Sequence, residues 1–519
     1  MELSLSYGQS SGVDVHGTGA RVRLSGAKQR PLLRYHGAIE EPLAFRESMG
    51  ALHDVVVSDF RWRPPLQREQ FSRYLAYKLD QQQQAAELAA AERRFLEFEW
   101  QERERGWLVY DPVCSVHPDE LSFEAFNRDG SVYARLGIAR TAAEERGRVV
   151  CGTTNVDFSA GLYRAVQRLR TIWTTELELG TGLTQDAVEL RAGAQAHTEK
   201  KIELPDGWVR GFVQLGAASL LEAVQINLLP VHVYDLLHFL RLHKARTSPR
   251  ALRFELTPGQ APELVLEPWE QRFPCVGGEH GADRRRVIRV WGRRRLLLLE
   301  RMLPLAEYVS FHLLGRGMPY FVRAHAGAYR FDLGLSGWTK SDWTRTARFD
   351  ALIARQGARL APSPRVLGWL KHALVGSPEQ IAAGAGVELP EVHAALTRAA
   401  GQGQVVFDAG GGVYRFRPLF NDPLPASATI GADPNAQAAQ DLLVEGGVEL
   451  TGIQREPGGG TRLRGRVRDA DKARDPEVVL GDDGRVQAAE CGCWFAKQHG
   501  LKQGLCPHAL SLLLAWDDA

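Results

Sequence analysis

The most constraining feature of this chain lies near its C-terminus. Cys491, Cys493, Cys506 and His508 follow one another in the order C-x-C-x12-C-x-H. Six cysteines are present, and three of them fall within this window of sixteen residues, while Cys114, Cys151 and Cys275 are scattered singly. Close packing of thiols suits either a disulfide or a metal. The opening stretch MELSLSYGQSSG has no basic segment followed by an apolar one, so no secretory signal is read and a cytoplasmic chain is expected. In a reducing compartment such a cluster points to a metal.

Zinc takes four ligands in a tetrahedron, and three thiolates with one imidazole supply them. The pattern predicts one structural Zn2+ held by Cys491, Cys493, Cys506 and His508. The first pair would come from the end of a strand and the second from the start of the last helix. Gly492 is expected to let the backbone curl between two sulfurs, and Pro507 to fix the helix entry. His499 is the competing imidazole. A metal-free reduced cluster and a strained disulfide are the alternatives to an ion. Four protein ligands would leave no open position, so the site reads as structural rather than catalytic.

The rest of the 519 residues is too long for a single ordinary core. The segments MELSLSYG, ARVRLSG and HDVVVSDFRW in 1–110 predict short strands, and 66–105, which lacks Gly and Pro, predicts a long helix. Mixed strands and helices are expected in 111–250, including the hairpin ELSFEAF-NRDG-SVYARLGI. A second mixed segment, 251–360, contains the strands ALRFEL, ELVLEPW and RRVIRVWG and an apolar helix over RRRLLLLERMLPLAEYVSFHLLG. In 361–420 three helices precede two short strands around a glycine turn, which is the order of a winged helix. Residues 421–436 read as a linker and 437–519 as a compact module of strand, hairpin and closing helix. The fold class expected is α+β and multidomain: a mixed α/β body, a winged-helix module and a C-terminal ββα finger.

The ligand pattern and that ββα layout resemble the SWIM zinc finger. Beyond the finger, GTTNVDFS (152–159), IRVWGRRR (288–295) and GLSGWTKSDWTR (334–345) resemble the large bacterial SWIM zinc finger family proteins. The resemblance implies a recognition or adaptor component whose protein partners are a MoxR-type AAA+ ATPase and a von Willebrand factor A protein.

Charge limits the alternative, a DNA-binding regulator. The totals, 64 basic and 62 acidic residues, make the chain no polycation. Over 361–420 five basic residues (Arg365, Lys371, Arg398, Arg415, Arg417) face four acidic ones, a poor endowment for a groove reader. Its third helix would present Glu391, His393, Ala394, Thr397 and Arg398. In the last module Arg462, Arg464, Arg466 and Arg468 alternate, so all four project from one strand face and form a candidate polyanion-binding stripe. Seven arginines between 284 and 295 read as a strand edge and an exposed helix start rather than a polyanion patch. No Walker A loop, G-x-G-x-x-G or H-E-x-x-H is present, so no enzyme is expected. Charges such as Glu222 and Asp235 interrupt the apolar runs, so no membrane span is expected either.

Overall fold

The computed structural model describes residues 3–7, 10–61, 111–181, 201–204, 206–337, 342–344, 347, 349, 363–424, 434–456, 460–470, 472–481, 486–501 and 503–518. The long helix read over 66–105 lies outside the described residues, as does most of the aromatic turn after Gly337. Among the described residues no helix is long and apolar enough to cross a membrane.

The centre is a nine-stranded, wholly antiparallel sheet. Its order is Glu279–His280, Val224–Leu228, Tyr308–Leu313, Tyr320–Ala326, Tyr329–Leu335, Val132–Ala139, Glu120–Phe126, Val113–Val116 and Gly152–Asn155. Strands from 111–250 and from 251–360 share this sheet, with Leu136 opposite Phe331. The hairpin read from ELSFEAF-NRDG-SVYARLGI is Glu120–Phe126 paired with Val132–Ala139. A five-stranded sheet near the N-terminus includes one parallel pair, Gly19–Gly26 with Thr174–Thr181. A four-stranded sheet holds Leu252–Leu256, Glu263–Leu266, Gln271–Pro274 and Arg286–Val290.

Two expectations are corrected. HDVVV was expected in a strand but closes the helix Pro42–Val57. Buried Phe45, Met49, Leu52 and Val56 recur at helical spacing, and that periodic burial overrides the strand preference of three valines. The apolar helix expected over RRRLLLLERMLPLAEYVSFHLLG is instead two 3-10 segments, Arg293–Leu299 and Leu303–Leu305, followed by the strand Tyr308–Leu313. Pro304 cannot sit inside a helix, and the alternation of Val309, Phe311 and Leu313 belongs to a strand.

Three helices, Pro364–Ala373, Pro378–Ala385 and Leu389–Gly401, precede the antiparallel strands Val405–Asp408 and Val413–Phe416. Val375–Gly376 adds a short third strand on Val413–Phe416. The second helix starts in a capping box: Ser377 Oγ accepts from the Gln380 N–H at 3.2 Å, and Gln380 Oε1 accepts from the Ser377 N–H at 2.9 Å.

This unit is fastened to the central sheet by buried charge. Arg415, 2% exposed, donates to both oxygens of Asp119 at 2.8 and 2.9 Å and lies 3.1 Å from Glu120. From the opposite direction Asp408 accepts from Arg323 at 2.5 Å, and Arg323 also donates to Asp332. Arg135 pairs with Glu120 and lies 3.9 Å from Asp408. Arg417, 1% exposed, lies 3.3 Å from Glu124 with its guanidinium over the Phe212 ring. His117 Nε2 is 3.1 Å from the Phe416 carbonyl. Burial first, and the Arg415 charge second, hold His117 down to about 3, so the ring is neutral and donates.

Of the stretch read as a linker, 425–433 lies outside the described residues and 434–436 already belong to the helix Pro434–Val444. The remaining module is an antiparallel sheet in the order Val448–Arg455, Thr461–Asp469, Glu477–Leu480, Val486–Glu490, with Lys472–Arg474 beside the second strand. Leu463 and Val467 turn inward under the helix Pro507–Asp518. Gly465 lies between them, where any side chain would overlap Leu512, so glycine sets how closely the helix approaches the sheet.

Candidate metal centre

The strand Val486–Glu490 runs directly into Cys491, and Cys493 opens the short helix Trp494–His499. Cys506 stands immediately before the helix that starts at Pro507, and His508 lies in its first turn. The ligand atoms of Cys491, Cys493, Cys506 and His508 all lie within 4.8 Å of one another, and all but the half-buried Cys491 are buried. This group could hold a metal ion. His499 is not part of it: its ring packs against Phe495 at the far end of the short helix.

Hydrogen bonds prepare the donors. Cys493 Sγ accepts from the Ala496 N–H at 3.3 Å, and Cys506 Sγ accepts from the Ala509 N–H at 3.4 Å. Each sulfur thus caps a helix start, where a thiolate is favoured. His508 Nε2 is 3.0 Å from Asp469 Oδ2, at the end of the strand Thr461–Asp469. Its other nitrogen, Nδ1, is buried without a hydrogen-bond partner. A buried imidazole nitrogen left unpaired, with three sulfurs within ligand range, is the donor a cation would use.

The titration directions agree. Cys491 is drawn below the usual thiol range, chiefly by its hydrogen bond with Cys506 and then by His508. His508 is pushed up, chiefly by Cys491. Cys506 rises because its proton is shared with Cys491 and because it is buried. These directions favour a thiolate in the cluster, the form a metal requires.

No family model matches the chain. No curated protein matches it either. Among solved structures it is similar to the Proliferating Cellular Nuclear Antigen from Entamoeba histolytica, at 9% identity and a TM-score of 0.33 over 58% of this chain and 98% of that one. At that score no shared fold is inferred.

Sequence reasoning missed Asp469, which precedes His508 by 39 residues and belongs to no local motif. It fixes which imidazole nitrogen faces the sulfurs, so it is a positioning residue. Asp469→Ala is expected to weaken metal retention by about 10- to 100-fold in competition with a chelator, while leaving all four ligands in place. Gly492 plays a smaller part than expected. It stands in open space and is not among the glycines with positive φ, so no left-handed turn separates the sulfurs.

The other sequence candidates end differently. Arg462, Arg464, Arg466 and Arg468 do share a face, with the three residues between them turned inward. Three of them carry acidic partners in the same module: Arg462 pairs with Glu456 and Glu477, Arg464 with Glu477, and Arg466 with Asp475. In the 284–295 run Arg293 and Arg295 are buried, so the exposed helix start expected there is not what forms. His117 Nε2 and Asp157 Oδ2 contact backbone groups of Phe416 and Ser11.

Proposed function

We propose that residues 437–519 form a SWIM-type zinc finger with a structural ion, and that the chain is a non-enzymatic recognition protein acting on a protein partner. One observation carries the reading. Four protein donors lie within 4.8 Å of one another, and three sulfurs with one nitrogen would complete a tetrahedral ion without leaving a place for water or substrate. The ion would then organise a surface. Trp494, directly after Cys493, is 70% exposed, and an indole held outward by a metal-anchored turn is the kind of side chain protein interfaces use as an anchor. The three helices and hairpin of 361–420 are read as a winged helix. By resemblance, the partner would be a MoxR-type ATPase or a von Willebrand factor A protein.

The DNA-binding alternative is weakened from three sides. Two of the five basic residues counted in 361–420, Arg415 and Arg417, are buried against the central sheet, leaving Arg365, Lys371 and Arg398 against Glu379, Glu388 and Glu391. The face of the third helix that would read bases (Glu391, His393, Ala394, Thr397, Arg398) is half-buried throughout. The arginine stripe is largely paired with carboxylates. Phosphate recognition needs net positive charge open to the duplex.

Elemental analysis of the purified chain is expected to find one zinc per molecule, and a pull-down from the native host to return a protein partner that Trp494→Ala loses. Absence of a stoichiometric metal would end the zinc reading. Duplex binding with a steep salt dependence, flattened by Arg462→Ala and Arg466→Ala, would transfer the function to DNA.

A further inference from the structure

The arginines of 293–295 contribute to a cavity of about 210 Å3 that the metal centre does not touch. It opens beside the C-terminal end of the helix Pro230–Leu242, and it is lined by Phe60, His243, Lys244, Arg250 and Gly292 together with Arg293, Arg294 and Arg295. Among these described residues there is no carboxylate. Arg293 and Arg295, 5% and 2% exposed, are buried in the wall, while Lys244, Arg250 and Arg294 stand exposed around them.

Arg250, Arg293 and Arg294 are anchored on main-chain carbonyls, while Arg295 also lies in the field of the Asp129 and Asp342 carboxylates. Arg293 Nη1 donates to the carbonyls of Ala251 and Glu267. Arg294 Nη1 donates to the Leu240 carbonyl at 2.8 Å, and Arg250 donates to the carbonyls of Thr247 and Arg246. A guanidinium has five N–H donors, so main-chain anchoring fixes each head and leaves further donors for a ligand. Arg295 Nη1 reaches Ser336 Oγ at 3.2 Å, and its path beneath the loop needs Gly292. Gly292 has φ +78°, and a Cβ there would come within 2.8 Å of that same Nη1. Burial lowers Arg293 to about 10, and the nearby Arg250 and Arg294 charges act in the same direction against Glu267. Like charges gathered in a low-dielectric pocket repel one another until an anion enters.

We infer that this cavity binds the diphosphate group of a small ligand. Five cationic side chains around one enclosure call for several negative charges close together, and forked guanidiniums match phosphoryl oxygens bidentately. The volume is below that of ordinary drug-sized pockets, which fits a compact anion rather than a polymer backbone. Phe60, 40% exposed in the lining, offers a flat apolar face to whatever carries the diphosphate.

The test is calorimetric titration of the full chain at low salt with sodium pyrophosphate, with ADP and with a short DNA duplex. Saturable one-to-one binding of pyrophosphate is expected, weakened by at least about tenfold in the Arg250→Ala/Arg294→Ala double variant. Both positions are exposed, so the variant should keep the parent's unfolding midpoint. Binding of ADP tenfold tighter than pyrophosphate would identify the source as a nucleotide, and equal binding would identify inorganic diphosphate. The inference falls if neither anion binds, if the double variant binds as well as the parent, or if the duplex binds more tightly through the same two arginines.

Discussion

Cys506→Ser is expected to abolish stoichiometric metal and to unfold residues 434–518 while the central sheet stays folded. The scale is set by the ion. Structural zinc sites in small finger peptides contribute apparent binding energies of about 10–16 kcal/mol at neutral pH, far more than one packed side chain. Little else would replace it here. The module's sheet buries a short row, Leu463, Val467, Val478 and Leu480, under Leu510, Leu512 and Leu513. The main core beneath the large sheets draws none of its residues from this module. The second core does run from Trp208 and Phe212 through Val366 and Leu396 to Leu463 and Cys493, so the three-helix unit should loosen as well, though by less. Limited proteolysis with and without chelator measures this. Protection of the module after complete metal removal would overturn it.

Asp408→Ala should be the most damaging single change outside the metal centre, by about 3–5 kcal/mol, because it leaves buried guanidiniums without their counter-charge. Arg323, Arg135 and Arg415 all lie within 4 Å of Asp408. Deleting a whole pair would hurt less than deleting one partner. Denaturant midpoints of the single variant against an Asp408→Ala/Arg323→Met double variant read the difference directly.

The same cluster fixes a pH dependence. Asp408 is held well below its ordinary value of 3.8: burial opposes this, but the Arg323, Arg135 and Arg415 charges outweigh it. Its contribution is therefore complete above the unfolded carboxylate's pKa and disappears only as pH falls through the depressed folded value. His117 is lowered from 6.5 to about 3, so the unfolded chain takes up its proton first and stability declines as pH drops below about 6.5. Both groups weaken the attachment of the three-helix unit in acid, and neither affects it above neutrality.

The metal group could be read from sequence because its ligands are local. A strand end and a helix start, twelve residues apart, bring four donors together with little help from the rest of the chain. The 361–420 helix order was legible for the same reason. The charge cluster was not. Glu120, Arg135, Asp332, Asp408 and Arg415 come from across the chain, and each alone looks like an ordinary surface residue. Arg415 and Arg417 were counted as basic charge open to a partner, when they are spent on fastening their own hairpin. The arginine run at 293–295 was misjudged because its helical apolar pattern hid Pro304, and no periodicity rule separates a 3-10 turn lining a cavity from the start of an amphipathic helix.

The central sheet carries a consequence for how the chain is made. Ile138 finds its neighbour Tyr329 roughly two hundred residues later, and pairings this distant are slow to form. During synthesis the hairpin Glu120–Phe126 with Val132–Ala139 emerges early with one edge uncovered, and it must wait for Tyr329–Leu335 to be translated. Expression yield should therefore depend on shielding that edge during the interval, whatever the stability of the finished protein.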